Sequence, residues 1–500
     1  MTDNTAKTLP PHTDVAIVGS GYSGLCVAIR MKLAGLQDFV MFERAATIGG
    51  TWRDNHYPGA ACDIASNLYS FSFEPNPNWT RIYPQQPELK AYMEHCAAKY
   101  GLAPHLHCGA AVTEARYDEV ARSWQLTVNG ATVVTARVLV SATGGLSQPA
   151  LPSLPGLAEF AGPVFHSARW RDDVVLEGKR VAVVGTGASA IQFVPEIADR
   201  AARLTLFQRT APWIIPKPDR ALTAPERRRL QRLPGWQRLL RAADYTVRES
   251  RALFFTRWPH LLERAQQRVL RAMHRQVADE SLRRQLTPHY VLGCKRILLS
   301  NDFYRTVQKP QVRLVTAAID RVRADGIQTT DGGFHPADVL ILATGFETGR
   351  NTTPYPVIGL GGVALDRAWT AGPQAYLGTT VAGYPNLFLM TGPNTGLGHN
   401  SMIYIIESQT RYVLDALQTM RRRRIGAVDV DAGVQARYNA EIQARMRRTV
   451  WSTGGCKSWY LSPDGRNATL WPDFTFRFRR RTRRFDLERY RTWPERPALG

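Results

Sequence analysis

The chain has few cysteines, few lysines and no long apolar run, and each shortage excludes a class of protein. Its six cysteines are scattered through 500 residues, with no Cys-x-x-Cys pair and no zinc-like spacing. Neither a zinc site nor a redox dithiol is therefore predicted, and a reducing cytoplasm is the expected compartment. Residues 1–14 are polar and lack an apolar signal segment, and no apolar run is long enough to span a membrane.

Lysine is scarce although the formal net charge is +22, because only nine of the 64 basic residues are lysine and the rest are arginine. The densest arginine runs lie at residues 227–229, 421–424 and 477–484 and contain no nucleic-acid recognition motif. A nucleic-acid surface, a membrane or partner face, and arginine spread over solvated faces by GC-rich codon usage would each produce this charge. We favour the last interpretation, so no nucleic-acid partner is predicted.

An internal repeat is the most informative feature of the sequence. The length predicts two or more domains, and residues 15–24 (VAIVGSGYSG) return as residues 181–190 (VAVVGTGASA). Each copy is a β-branched run, a glycine turn and a helical stretch, the arrangement in which backbone N–H groups and a helix N-terminus hold a pyrophosphate. The predicted pyrophosphate-binding residues are Gly19, Gly21 and Gly24 in the first copy and Gly185, Thr186, Gly187, Ala188 and Ser189 in the second.

The second strand of each copy indicates which dinucleotide it binds. Glu43 ends the run FVMFE, where a carboxylate can accept hydrogen bonds from both ribose hydroxyls of FAD. The equivalent position in the second copy is Arg209, a cation suited to the 2′-phosphate of NADPH. The sequence therefore predicts FAD in the first unit and NADPH in the second.

A second repeat predicts how the two units are arranged. Residues 138–144 (VLVSATG) and 339–345 (VLILATG) are buried-strand runs, and each follows an Asn-Gly or Asp-Gly hairpin signal. We predict an α/β fold of two Rossmann-like dinucleotide-binding domains, each with a β-meander, plus an arginine-rich helical insertion. The insertion either covers the active site and shapes substrate entry or packs as an appendage on the NADPH domain. The expected bounds are 1–149 and 346–500 for the FAD domain, 150–345 for the NADPH domain and about 219–290 for the insertion.

Two longer motifs carry a family resemblance. Residues 49–63 (GGTWRDNHYPGAACD) and 160–170 (FAGPVFHSARW) resemble the two signatures of the FAD- and NADPH-dependent Baeyer–Villiger monooxygenases, within the wider flavin-containing monooxygenase group. The second signature usually continues with Pro or Asp, whereas this chain has Arg171 before Asp172. The resemblance covers nearly the whole chain and implies an enzyme that converts a ketone and O2 into an ester or lactone.

The resemblance also implies roles for individual residues. Arg296 corresponds to the family's active-site arginine, and Asp63 would orient it. The other matched positions are Thr51, Trp52, Asp63, Tyr69, Val112 and Met402 beside FAD, Lys295, Arg209 and Thr210 at the 2′-phosphate, Trp459 on the nicotinamide side, and His166 and Trp170 in the signature that couples the domains.

The implied chemistry requires a permanent cation. NADPH would reduce FAD, and O2 would then give a flavin C4a-peroxide whose anion attacks the ketone carbonyl. Arg296 does not readily lose its proton, so it can stabilise that anion and the oxyanion that follows. Asp63 would hold Arg296 through a charge-assisted hydrogen bond. The helix that begins near Asn400 would present its positive end to the flavin.

Several alternatives stay open at this point. A heteroatom oxygenase of the same fold would oxidise amines or sulfides, although Arg296 and the tryptophan-containing signatures favour ketones. A disulfide reductase would need a close cysteine pair, and a non-enzymatic basic binding protein would leave both nucleotide motifs unexplained. In the plainer interpretation Asp63 and Arg296 are an ordinary ion pair between domains. His166 would then be a structural histidine, which we favour, and Trp170 and Trp459 would be core aromatics.

Overall fold

Two β-sheets, one in each predicted nucleotide-binding unit, form the framework of the fold; the first sheet is mixed and the second is parallel throughout. The structure is a computed structural model that describes residues 8–347, 353–456, 458–462 and 464–495. Its elements fall into three stretches of chain. The first stretch contains the strands β1 (His12–Val18), β2 (Phe39–Glu43), β3 (Leu106–Cys108), β4 (Val112–Asp118), β5 (Ser123–Val128) and β6 (Thr132–Ser141), and the helices α1 (Tyr22–Leu33), α2 (Thr51–Asp54) and α3 (Gln86–Lys99).

The second stretch forms the second sheet and the insertion. Its strands are β7 (Val164–His166), β8 (Arg180–Val184), β9 (Arg203–Phe207), β10 (Ile214–Ile215), β11 (Leu298–Leu299), β12 (Val312–Val315), β13 (Ile319–Arg323), β14 (Gly326–Thr329), β15 (Phe334–Pro336) and β16 (Val339–Leu342). Its helices are α4 (Ala190–Ile197), α5 (Ala224–Arg232), α6 (Pro234–Ser250), α7 (Ala252–Thr256), α8 (Leu261–Gln276), α9 (Glu280–Leu286) and α10 (Phe303–Thr306).

The third stretch returns to the first sheet. Its strands are β17 (Val357–Ile358), β18 (Leu387–Leu389), β19 (Ile425–Val430) and β20 (Tyr490–Pro494). Its helices are α11 (Leu365–Ala368), α12 (Met402–Arg423), α13 (Ala432–Met446), α14 (Val450–Thr453) and α15 (Thr475–Arg481). Short 3-10 turns occupy Ala103–His105, Leu157–Glu159, Ser167–Arg169, Leu360–Gly362 and Leu487–Arg489.

The first sheet has the strand order β17–β4–β5–β6–β1–β2–β3, and β18 also pairs with β6. Strand β1 lies parallel between β2 and β6, with Val15 opposite Phe39 and Val138. Buried residues dominate β1 and fill β2, which explains their nearly continuous apolar runs. Strands β4, β5 and β6 form an antiparallel meander within the same sheet. Because β17 and β18 pair with β4 and β6, the chain completes the first sheet only after building the second.

The second sheet has the order β12–β9–β8–β16–β7, and all of its pairs are parallel. Its meander, β13–β14–β15, is a separate three-stranded sheet rather than part of the parallel one. The two predicted Rossmann-like units and their meanders are therefore present, and they differ in how each meander is attached. No helix among the described residues is long and apolar enough to cross a membrane.

The helical insertion contacts both units. Met273 of α8 and Leu286 of α9 are buried in the apolar core that covers the second sheet. Helix α6 instead lies against the first unit, where Arg241 donates a hydrogen bond to the carbonyl of Ser70 at 2.8 Å. The appendage interpretation thus describes α8 and α9, whereas α6 reaches the unit predicted to hold FAD.

Candidate active site

A cavity of about 610 Å³ opens at the C-terminal ends of β1, β2 and β6. Ligands of open α/β sheets bind at this edge, in the crevice beyond the carboxyl ends of the strands. Loops of the third stretch complete the wall. The sequence-predicted residues that line the cavity are Gly19, Gly21, Glu43, Thr51, Trp52, Tyr69, Val112, Arg296, Met402 and Trp459.

The same close contact occurs at the first glycine of both repeats. Gly19 has a φ of +106°, and a Cβ there would lie 2.6 Å from the carbonyl oxygen of Ala142. Gly185 has a φ of +109°, and its Cβ would lie 2.5 Å from the carbonyl oxygen of Ala343. The two alanines belong to the two Ala-Thr-Gly runs, so this contact explains why the glycine and Ala-Thr-Gly repeats occur together. Gly24 lies behind the turn, inside α1, where a Cβ would lie 1.9 Å from the carbonyl oxygen of Gly19.

The first unit has the donors that the adenosine end of FAD requires. Helix α1 begins after Gly21 with no side-chain cap, so its positive end and first N–H groups are left to a ligand in the cavity. Glu43 is buried and braces the turn by accepting hydrogen bonds from the N–H (3.1 Å) and hydroxyl (2.6 Å) of Ser20. Arg53 donates to its other carboxylate oxygen at 2.9 Å. A pyrophosphate at α1 and a ribose at Glu43 fit this arrangement.

Arg296 and Asp63 form a two-pronged ion pair beside the cavity. Arg296 Nε donates to Asp63 Oδ2 at 2.7 Å, and Nη2 donates to Oδ1 at 2.6 Å. Removal from water by itself would raise the pKa of Asp63, but Arg296 outweighs this effect and holds that pKa below its usual range. Asp63 in turn raises the pKa of Arg296 above its usual value. The side chains are nevertheless 39% and 30% exposed, so the ionised pair remains accessible to a ligand.

A disulfide joins the two segments that carry Arg296 and Trp459. Cys294 and Cys456 are bonded, with their Cα atoms 6.1 Å apart and a sequence separation of 162. Tyr460, next to Trp459, is buried, and burial raises its pKa to about 12, so it presents a neutral hydroxyl near Arg296. The sequence carries no signal for this bond, because bonded cysteines so far apart leave no spacing pattern.

Two cations, Lys295 and Arg209, lie close enough for their charges to interact. Burial lowers the pKa of Lys295, and the positive charge of Arg209 lowers it further. The Lys295 ammonium lies 5.0 Å from the centre of the Tyr290 ring. The hydroxyl of Thr186 donates to the carbonyl of Thr210 at 3.5 Å, which holds the glycine turn against the segment of Arg209. A phosphate dianion would relieve the repulsion between the two cations.

The glycine turn of the second unit is also open to a ligand. A Cβ on Gly187 would meet no atom within 4 Å, and α4 begins after Ser189 with no side-chain cap. Burial raises the pKa of Tyr57 in the first unit, and the neighbouring Ser189 side chain partly offsets this effect. Thr186 and Ala188 complete this turn, which thus links the predicted NADPH site to the first signature.

His166 and Trp170, the signature residues between the units, have structural surroundings. His166 is buried, and its Nδ1 accepts a hydrogen bond from the N–H of Ala168 at 3.1 Å, which caps the short turn that follows. Burial lowers the pKa of His166, so the ring is neutral at pH 7. Trp170 packs with ring centroids 5.3 Å from Phe165 and 5.3 Å from Phe193. Neither residue lines the cavity, which favours the structural interpretation of both.

Glu249 of α6 is a buried acid near the cavity that the sequence analysis missed. It accepts hydrogen bonds from Asn400 Nδ2 at 2.7 Å and from the N–H (2.5 Å) and hydroxyl (2.8 Å) of Thr475. Its carboxylate also lies 3.6 Å from Nε2 of the buried His399. The insertion thereby holds the loop before α12, whose first residue, Met402, lines the cavity. Its only sequence signal was that it is one of two acids in an arginine-rich stretch, residues 227–258.

Comparison with known proteins decides the family. The sequence model of the flavin-binding monooxygenase-like family matches residues 12–221. A Baeyer–Villiger monooxygenase of Pseudomonas aeruginosa is 50% identical over 481 residues, which cover 96% of this chain and 91% of the relative. The chain belongs to the Baeyer–Villiger monooxygenase family. A relative of the same name from Streptomyces coelicolor is 46% identical over 97% of this chain and 94% of its own length.

Solved structures agree with this assignment. Cyclohexanone monooxygenase from Rhodococcus sp. Phi1 bound to NADP+ superposes with a TM-score of 0.87 at 26% identity, covering 97% of this chain and 100% of that one. An oxidised steroid monooxygenase bound to NADP gives a TM-score of 0.84 at 31% identity, covering 95% and 97%. The predicted fold class and the prediction of an FAD- and NADPH-dependent Baeyer–Villiger monooxygenase are confirmed, in preference to an amine or sulfide oxygenase.

Proposed function

We propose that the enzyme inserts one atom of O2 next to a ketone carbonyl, giving an ester or lactone, with Arg296 as the catalytic cation. The observation that carries this proposal is the two-pronged pair of Arg296 with Asp63 beside the dinucleotide cavity. A guanidinium held in this way keeps its charge throughout the working pH range and donates hydrogen bonds without losing a proton. It therefore suits a reaction in which negative charge must be held on oxygen.

FAD would occupy the cavity of the first unit, for which we propose the bounds 1–149 and 346–500. The turn at Gly19 and Gly21 and the start of α1 would hold its pyrophosphate, and Glu43 would accept from its ribose. The positive end of α12, near Met402, would face the ring. The side chains proposed to line the rest of the cofactor are Thr51, Trp52, Tyr69 and Val112.

NADPH would lie across the second unit, for which we propose the bounds 150–345. Residues 185–189 and the start of α4 would hold its pyrophosphate. Arg209, Thr210 and Lys295 would bind the 2′-phosphate, supported by the proximity of the two cations. Trp459 is 47% exposed and lines the FAD cavity, so it would cover a nicotinamide ring brought against the flavin.

The residues of the chain would position the substrate and control charge. When bound, NADPH supplies the hydride and FAD the activated oxygen of the reaction. Arg296 would stabilise the negative charge that develops on oxygen as the ketone carbonyl is attacked. Asp63 would keep the guanidinium in one orientation by occupying two of its donors. The segments held by Cys294 and Cys456 would close the site against water.

The proposed partners are a small ketone and O2. Similar structures are those of a cyclohexanone monooxygenase and a steroid monooxygenase, so ketones from one ring to several fused rings should be assayed. A cytoplasmic location stays a prediction from the sequence, and the bond between Cys294 and Cys456 argues against it, because disulfides are rare in that compartment.

A product assay tests the proposed function. Purified holoenzyme would be supplied with NADPH, ¹⁸O₂ and a mixture of linear, cyclic, aromatic and steroidal ketones, together with one thioether and one tertiary amine. We expect an ester or lactone carrying one labelled oxygen. Formation of sulfoxide or N-oxide alone, with all ketones untouched, would overturn the proposal and reduce Arg296 to a structural or NADPH-binding residue.

A further inference from the structure

The insertion carries a group of large apolar side chains that no part of the described chain covers. Six of the sixteen large apolar side chains that are exposed among the described residues lie within one short stretch, so they form a cluster rather than scattered positions. They are Leu233, Trp236, Leu239, Val247, Phe254 and Trp258, and we call them the α6 patch. Three of them lie on one side of α6, because Leu239 and Val247 follow Trp236 by three and eleven residues, which are helical spacings.

The helix that carries half of the patch, α6, is firmly attached to the rest of the protein. On the opposite side of α6, Arg241 donates to the carbonyls of Ser70 at 2.8 Å and Asn67 at 3.0 Å. Tyr245 stacks on Tyr404 with ring centroids 5.0 Å apart. The helix is therefore fixed on its inner side, while Leu239 and Val247 on its outer side are 57% and 59% exposed.

Positive charge surrounds the α6 patch. Residues 227–258 contain nine arginines and two acids. Arg241 and Arg248 face the inner side together with the buried Glu249, which leaves seven exposed arginines and one half-buried acid, Asp244. Arg227, Arg228 and Arg229 are exposed on α5, immediately before the patch. An apolar stripe with tryptophans, flanked by arginine, is the pattern of helices that lie in the interface of an anionic bilayer.

We propose that the α6 patch docks the enzyme on an anionic lipid surface. Trp236 and Trp258, near the two ends of the patch, would lie at headgroup depth, where tryptophan is favoured. Leu239, Val247 and Phe254 would enter the acyl boundary, and the arginines of α5 would contact lipid phosphates. A symmetric dimer through the same face would bring two arginine clusters together, so the charge favours a bilayer over a second copy.

Docking in this orientation would place the membrane close to the active site. The inner side of α6 contacts Ser70 and Asn400, and their sequence neighbourhoods include Tyr69 and Met402, which line the cavity. Apolar ketones concentrate in bilayers, so a docked enzyme would draw its substrate from the lipid phase. This last step rests on the proposed function, whereas the docking itself does not.

Vesicle binding by the holoenzyme tests the proposal. Vesicles of phosphatidylcholine alone and of phosphatidylcholine with phosphatidylglycerol would be sedimented with the protein, and tryptophan fluorescence recorded. We expect binding to the anionic vesicles, a blue shift, and weakening with added salt. The combined variant Trp236→Ser, Leu239→Ser, Val247→Ser should lose affinity by about tenfold or more. Arg228→Gln with Arg229→Gln should weaken binding and reduce its salt dependence.

A matched variant guards against a general effect of surface polarity. Val120→Ser, Val133→Ser, Val175→Ser removes three exposed valines elsewhere and should leave vesicle binding unchanged. Melting temperature and flavin content, compared across all variants, exclude misfolding. The proposal is overturned if the enzyme does not bind anionic vesicles, or if both triple variants lose binding equally. It is also overturned if light scattering shows that two copies of the enzyme associate through the α6 patch. Each readout is independent of ester formation, so failure of the proposed function would leave the docking result intact.

Discussion

Arg296 and Asp63 bridge the two nucleotide-binding units with two hydrogen bonds of 2.7 and 2.6 Å. Asp63 is the last residue of the first signature and belongs to the first unit, which lines most of the cavity. Arg296 belongs to the second unit and follows the helical insertion in the sequence. The proposed active-site cation, Arg296, is therefore held by Asp63 only when the two units are in contact. The pair is an ion pair between the units, and in the proposed reaction it would also orient the catalytic cation, so the plain and the catalytic interpretations are compatible.

Arg296→Ala should separate cofactor reduction from product formation. NADPH would still reduce FAD, because the residues proposed to bind both cofactors are unchanged. Ester formation should fall by about 10²- to 10³-fold, the usual loss when one preorganised electrostatic donor is removed. Stopped-flow reduction of the flavin and product analysis measure the two steps. Arg305→Ala, at an exposed arginine of α10, is the control and should change neither; near-normal ester yield in Arg296→Ala would refute the assignment.

Asp63→Asn should lower ester formation less than Arg296→Ala and should alter the acid stability of the enzyme. The folded-state pKa of Asp63 is lowered, so its contribution to stability is present above the ordinary carboxyl pKa and is lost as pH falls through the lowered value. We expect Asp63→Asn to be less stable than wild type at pH 7 and to approach it in strong acid. Denaturation curves at several pH values measure this difference. A constant difference across the whole range would contradict the pKa shift.

Arg209→Ala should affect the choice of nicotinamide cofactor. Loss of this cation removes one of the two positive groups at the proposed 2′-phosphate site, so the KM for NADPH should rise by about tenfold or more. The KM for NADH, which lacks that phosphate, should change little. Steady-state kinetics with both cofactors provide the test, with Arg313→Ala, at an exposed arginine of β12, as the control. Equal changes for NADPH and NADH would mean that Arg209 does not bind the phosphate.

The features that could be predicted from the sequence are those that lie within one short motif. Gly19 and Gly185 could be recognised because a turn, a strand end and a helix start lie within one short motif, and the structure shows the same carbonyl contact at both. Glu249 could not be recognised, because its partners Asn400 and Thr475 lie more than a hundred residues away in sequence. The attachment of α6 to the first unit was missed for the same reason. Distant contacts depend on the whole fold and leave no spacing to detect.

Gly24→Ala should lower stability, whereas Gly187→Ala should lower only the affinity for NADPH. A Cβ on Gly24 would lie 1.9 Å from the carbonyl oxygen of Gly19, so α1 or the turn must move. We expect the free energy of unfolding to fall by about 1–3 kcal/mol and the bound flavin to be lost. A Cβ on Gly187 meets no atom within 4 Å. Gly187→Ala should therefore keep the melting temperature and raise the KM for NADPH, because the methyl group would meet the pyrophosphate. Flavin content and thermal unfolding compare the two variants, and equal destabilisation would contradict the prediction.

Reduction of the bond between Cys294 and Cys456 should loosen the site. The sequence separation of 162 means that breaking the bond frees a long loop in the unfolded chain, which corresponds to a loss of up to about 4–5 kcal/mol in the chain-entropy estimate. Tris(2-carboxyethyl)phosphine or Cys456→Ser should therefore lower the melting temperature. Because the bond fixes the segments of Arg296 and Trp459, less ester should form per NADPH consumed. Cys108→Ser, at an exposed cysteine outside the disulfide, is the control; an enzyme whose melting temperature and coupling ratio both resist reduction would show that packing alone holds these segments.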